Sequence, residues 1–110
     1  MEEKELTVID GGVTEADIMK WKNQHGKVML VEIEECDTVH HAYFKRPTLN
    51  TMAAVTKVGK TNEVESAKIM LNDCWLGGSE AVKSDVVLFM EATKQLSKIF
   101  DSCTSRLKNL

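Results

Sequence analysis

A single proline, Pro47, stands in the 110 residues, and no stretch approaches the ~20 consecutive apolar residues that a bilayer-spanning helix requires. The first absence argues against a disordered or linker-rich chain, and the second against a membrane protein. Positive charge is also short. Fourteen Lys and Arg against seventeen Asp and Glu give a formal charge of -3. That balance argues against nucleic acid, whose affinity comes largely from phosphate neutralisation by basic side chains. Cysteine is scarce and odd in number: Cys36, Cys74 and Cys103 cannot all pair, and reduced thiols are the expectation. The opening Met-Glu-Glu-Lys-Glu has no apolar core of a signal peptide, so a cytoplasmic location is expected. What remains is 43% hydrophobic and 28% charged residues, the composition of one globular domain covering residues 1–110, with charged residues 1–5 expected to be mobile.

Leu6 to Ile9 could form a short strand, ended by Asp10, Gly11 and Gly12. Thr14 with Asp17 three residues on resembles a capping box, and Gly26 is a good stop, which predicts a helix over about 15–25 with Ile18 and Trp21 inward. Over 27–35, Met29, Val31 and Ile33 alternate with Val28, Leu30, Glu32 and Glu34, the period of a strand. Cys36, Asp37 and Thr38 make the turn, and 39–46 returns as a second strand that Pro47 ends, giving an antiparallel hairpin.

Everything after Pro47 reads as helical. Thr48 heads a helix over about 49–58, with Leu49, Met52, Ala53 and Thr56 on one face, and Asn62 heads another over about 63–76. On the latter, Val64, Ala67, Met70, Leu71, Cys74 and Trp75 fall within an arc of about 140°, while Ile69 and Leu76 lie one heptad apart on the far side. The final helix, from Ser84 or Asp85 to about Leu107, is the expected spine. Its apolar arc, which includes Val86, Phe89, Met90, Leu96, Ile99, Phe100, Cys103 and Leu107, spans roughly 200°, so contact from two directions is expected. The expected fold class is therefore α+β: an N-terminal helix and a hairpin, with a third short strand, packed on a C-terminal helical bundle with one long last helix.

No constellation carries a reaction. Val58-Gly59-Lys60-Thr61 resembles the tail of a phosphate loop, but Ala54 stands where the first glycine belongs and a helix, not a strand, precedes it. Cys36, His40 and His41 form the one soft-metal cluster. Successive strand residues point to opposite faces, so the two histidines cannot share an ion on a straight strand, and no metal or other cofactor is expected. Cys74 and Cys103 project from apolar helix faces, and Cys36 lacks a helix N-terminus to lower its pKa; no enzyme activity is expected. Lys45 and Arg46 beside Tyr43 and Phe44 are too few for a nucleic-acid surface. Six methionines are many for this length; Met29, Met70 and Met90 are expected in the core, while flexible thioethers also suit surfaces that accept varied partners. Ile69 and Leu76, apolar on a polar helix face, are the candidate partner-binding residues.

Between about Glu15 and Phe100 the layout resembles the tail assembly chaperones of long-tailed bacteriophages and prophages. The residues that carry the likeness are Met19-Lys20-Trp21-Lys22 running through His25-Gly26 into strand 27–33, the strand end Tyr43-Phe44-Lys45-Arg46-Pro47, the helix from Val64 to Trp75, the break Leu76-Gly77-Gly78 and the Asp85-headed final helix. The resemblance implies a non-enzymatic protein of the bacterial host cytoplasm that coats the tape-measure protein, brings in tail-tube subunits and is absent from the finished particle, many such proteins also having a longer frameshifted form. The alternative is a small cytosolic adaptor or regulator of a prophage or mobile element acting by protein contact. Either reading leaves a homo-oligomer open.

Overall fold

In the computed structural model, which describes residues 5–110, the elements run β1 (Thr7–Ile9), α1 (Glu15–His25), β2 (Val28–Glu35), β3 (Thr38–Lys45), α2 (Leu49–Gly59), α3 (Glu63–Cys74), β4 (Trp75–Gly78), α4 (Ala81–Ser84), α5 (Val86–Ser97) and a 3-10 turn (Lys98–Asp101). The α+β class and the short third strand are as expected; the mobility expected of residues 1–5 falls on 1–4, which lie outside the described residues, and on Glu5. Helix starts follow local chemistry. Thr14 accepts from the Asp17 N–H at 3.2 Å while Asp17 accepts from the Thr14 N–H at 3.0 Å, a complete capping box. Thr48, Asn62 and Asp85 cap α2, α3 and α5 in turn.

β3 is the centre of the sheet. β2 runs antiparallel along one side of it, from Val28 opposite Lys45 to Glu35 opposite Thr38. The other side is shared end to end: β1 lies parallel to the first half of β3 and β4 antiparallel to the second, with an irregularity at Tyr43/Phe44. The strand β4 corrects the expectation that all of the chain after Pro47 is helical. Trp75 leaves the helix with ψ 128°, and its indole meets Phe44 edge-on at 5.5 Å between ring centres. The backbone of residues 42–44 gains a ladder partner, and that tertiary gain outweighs one more turn of α3.

One face of the sheet carries the core. Val31, Ile33, Ala42 and Phe44 meet Met70, Leu71 and Cys74 of α3, Val82 of α4, and Leu88, Phe89, Ala92 and Leu96 of α5. α2 packs on α3, where Ser66 Oγ donates to the Val55 carbonyl at 2.8 Å; it turns Thr51, Met52 and Val55 inward, whereas Leu49, Ala53 and Thr56, expected on the packed face, are exposed. Val64 of α3 is likewise exposed. α1 packs on the opposite sheet face through half-buried Ile18 and Trp21, the latter 5.7 Å from the Tyr43 ring centre.

The final helix is the largest correction. It ends at Ser97, not near Leu107, and continues only as the 3-10 turn. Thr93 Oγ1 donates back to the Phe89 carbonyl and Ser97 Oγ to that of Thr93, bonds that weaken and bend a helix, and Ser102, Thr104 and Ser105 follow. Phe89 and Leu96 are in the core as expected; Met90, Phe100, Cys103 and Leu107 are exposed.

Candidate functional site

The two residues named from the sequence as a partner surface do not share a helix. Ile69 is half-buried on α3, which ends at Cys74, and half-buried Leu76 is the extra residue between Trp75 and Gly77 where β4 pairs irregularly with β3. A heptad spacing has no meaning across that boundary.

The histidines separate as the pleat requires. His40 points to the core side, where its Nδ1 and the Oγ of Ser79 lie 2.8 Å apart in a hydrogen bond. Ser79 is nearly inaccessible, and its N–H donates to the His41 carbonyl at 2.8 Å. The pair is thus a sealed polar joint that ties the end of β4 to β3. Its two members are 39 residues apart, and no local pattern in the sequence connects them. Ser79→Ala leaves a buried imidazole nitrogen partnerless and should cost about 1–3 kcal/mol in urea unfolding. His41 emerges on the other face, 3.9 Å from Glu32 across the strand pair. Cys36 is in the hairpin turn at φ 56°. Among the described residues no group of three or more His, Cys, Asp or Glu is placed to hold a metal ion.

Gly59 closes α2 against Ser66, and Thr61 Oγ donates to the Val58 carbonyl; the stretch is a helix stop between two packed helices. Cys74 is fully buried, and burial pushes its thiol up to about 11 from 9.0. The folded state therefore keeps the proton that the unfolded thiol releases. Its stabilisation is complete below about pH 9 and is lost as pH rises to about 11, about 2–3 kcal/mol over two pKa units. Urea melts at pH 8 and pH 10.5 should show about 2 kcal/mol of that loss, and Cys74→Ala should shrink it.

Two exposed features bear on binding. The first is a strip on α5. At about 100° per residue, Val86, Met90 and Thr93 lie in one line beside the buried set Leu88, Phe89, Ala92 and Leu96, and Phe100 prolongs the line into the 3-10 turn. Val86 is 71% exposed, Met90 51% and Phe100 55%. Among the described residues α5 packs on β2, α3 and α4, and Val86, Met90 and Phe100 remain exposed beside that packing. The second is a groove of about 680 Å³ along the outer edge of β2, lined by residues 28–32 and by Lys22, Lys27, Gln95, Leu96 and Ile99. No helix among the described residues is long and apolar enough to cross a membrane. No family model, curated protein or solved structure matches the chain.

Proposed function

We propose that this chain is a non-enzymatic, tail-assembly-chaperone-like protein that holds apolar segments of a long partner, the tape-measure protein of a bacteriophage or prophage tail, and recruits tail-tube subunits to it in the host cytoplasm. The observation that carries the reading is the uncovered strip Val86, Met90 and Phe100 on α5. Three large apolar side chains in one line on a helix whose other flank is core form a helix-in-groove or helix-on-helix contact waiting for its second side. A thioether at the centre suits a protein that must accept one stretch of a repetitive partner after another, because Met adapts its shape at little cost. The identity of the partner rests on the resemblance between about Glu15 and Phe100. The surface replaces the Ile69 and Leu76 pair, whose shared helix face does not exist.

Co-expression with overlapping fragments of a tape-measure protein from the same gene cluster tests the role. The expected result is soluble fragment recovered in a stable complex. Fragments that stay insoluble, with no complex surviving purification, would remove the reading.

A further inference from the structure

Among the described residues, neither a bulge, a proline nor a covering strand blunts the outer edge of β2; only charged side chains guard it. Edge strands are ordinarily short, bulged, charged, proline-bearing or covered, because their unpaired N–H and C=O groups template another strand. The opposite side of β3 follows that rule, with three residues in β1 and four in β4 beside an irregular register. β2 relies on charge alone. It pairs with β3 through eight consecutive residues without a shift, contains no proline, and among the described residues no strand or turn bonds to its outer side. The groove of about 680 Å³ runs along this edge and is lined by residues 28–32 of the strand itself, so the space beside the backbone is open. Leu30 is 44% exposed there.

The edge is also polarised. Lys22 and Lys27 stand at its N-terminal end, while Glu32, Glu34 and Glu35 occupy its C-terminal end, all five exposed. A parallel neighbour of the same sequence would set acid on acid and base on base, and like charges directly opposite are destabilising. An antiparallel one sets each acidic end on a basic end. We propose that β2 pairs antiparallel with β2 of a second copy, about a two-fold axis at Val31, joining two four-stranded sheets into one of eight strands. With Val31 opposite itself, Met29 faces Ile33 and Lys27 faces Glu35 of the second copy, on the core side; Leu30 faces Glu32 and Val28 faces Glu34 on the other. The side chains that carry the core, Val31 and Ile33, then continue across the axis, and the two sheet faces stay in register. A self-complementary edge of this kind closes at two copies because each chain has one such strand.

The test uses the full chain and two charge-reversed variants at exposed positions, Glu34→Lys with Glu35→Lys, and Lys22→Glu with Lys27→Glu. Sedimentation equilibrium of the unaltered chain should give twice its 12.3 kDa mass. Each variant alone faces like charge at both ends of the interface and should self-associate about tenfold or more weakly. An equimolar mixture of the two should regain the dimer, and far-UV circular dichroism should show both folded. A chain that stays monomeric at hundreds of micromolar overturns the proposal. So does a dimer that neither variant weakens, or a β2 edge whose amides gain protection only when a tape-measure fragment is added, which would assign the edge to a foreign strand. None of the four altered positions belongs to the α5 strip, so failure here leaves the proposed function standing, and its failure leaves this pairing standing.

Discussion

Replacing Phe44 with alanine should lower the free energy of unfolding by about 3–5 kcal/mol, a large share of the roughly 5–15 kcal/mol that holds a domain of this kind together. Phe44 is wholly buried at the middle of the sheet, lies against Trp75, and belongs to the cluster that joins β2 and β3 to α3, α4 and α5. Truncation leaves a cavity bounded by elements that are each pinned elsewhere, so little collapse can follow. Phe100→Ala is the contrast. Read from the sequence, Phe100 belongs to the core of a long last helix and its loss costs as much; in the fold it stands on a 3-10 turn, 55% exposed, and its truncation should cost about 1 kcal/mol or less. Urea unfolding of the two variants side by side decides between those pictures.

Gly78→Ala should be comparably damaging, by about 3–5 kcal/mol, through a different cause. Gly78 has φ 132°, a region that only glycine occupies without strain, and strain of that kind costs about 1–3 kcal/mol. A methyl group there would also overlap the His41 carbonyl oxygen and come within 2.7 Å of the Ala42 Cα. Overpacking adds about 1–3 kcal/mol more. The same glycine touches a second close approach, since a side chain on Gly11 would run into the Gly78 carbonyl. These two glycines are where β1 and β4 meet end to end beside β3, and losing either should free β4 first. Hydrogen exchange should show the Ser79 amide, bonded to His41, losing protection before the β2–β3 ladder does.

What was legible in the sequence was whatever a few neighbouring residues decide. Thr14 with Asp17, Thr48, Asn62 and Asp85 each satisfy the first free N–H groups of a helix from within three residues, and all four head helices. The alternation of Met29, Val31 and Ile33 put the correct face of β2 on the core. The strand β4 was hidden because Trp75-Leu76-Gly77-Gly78 has no alternation and follows a well-formed helical pattern; its reason is the unpaired second half of β3, thirty residues earlier. The end of α5 was hidden because apolar spacing persists through Phe100, Cys103 and Leu107, while serine and threonine hydroxyls bonded to the backbone weaken the helix over its last turns. The surface follows the same pattern. Apolar residues at helical spacing read as buried, yet Val86, Met90 and Phe100 are exposed, and the helix face expected to join Ile69 to Leu76 is broken where α3 gives way to β4.

The measurement that bears most directly on the account is the affinity of a labelled tape-measure fragment for the folded chain and for a variant carrying Val86→Glu, Met90→Glu and Phe100→Glu, read by fluorescence anisotropy. All three positions are more than half exposed, so the variant should keep its circular dichroism and its urea midpoint. Placing three carboxylates in an apolar contact should weaken binding by about a hundredfold or more. Equal affinity of the two proteins for the fragment would contradict the assignment of the α5 strip as the partner surface.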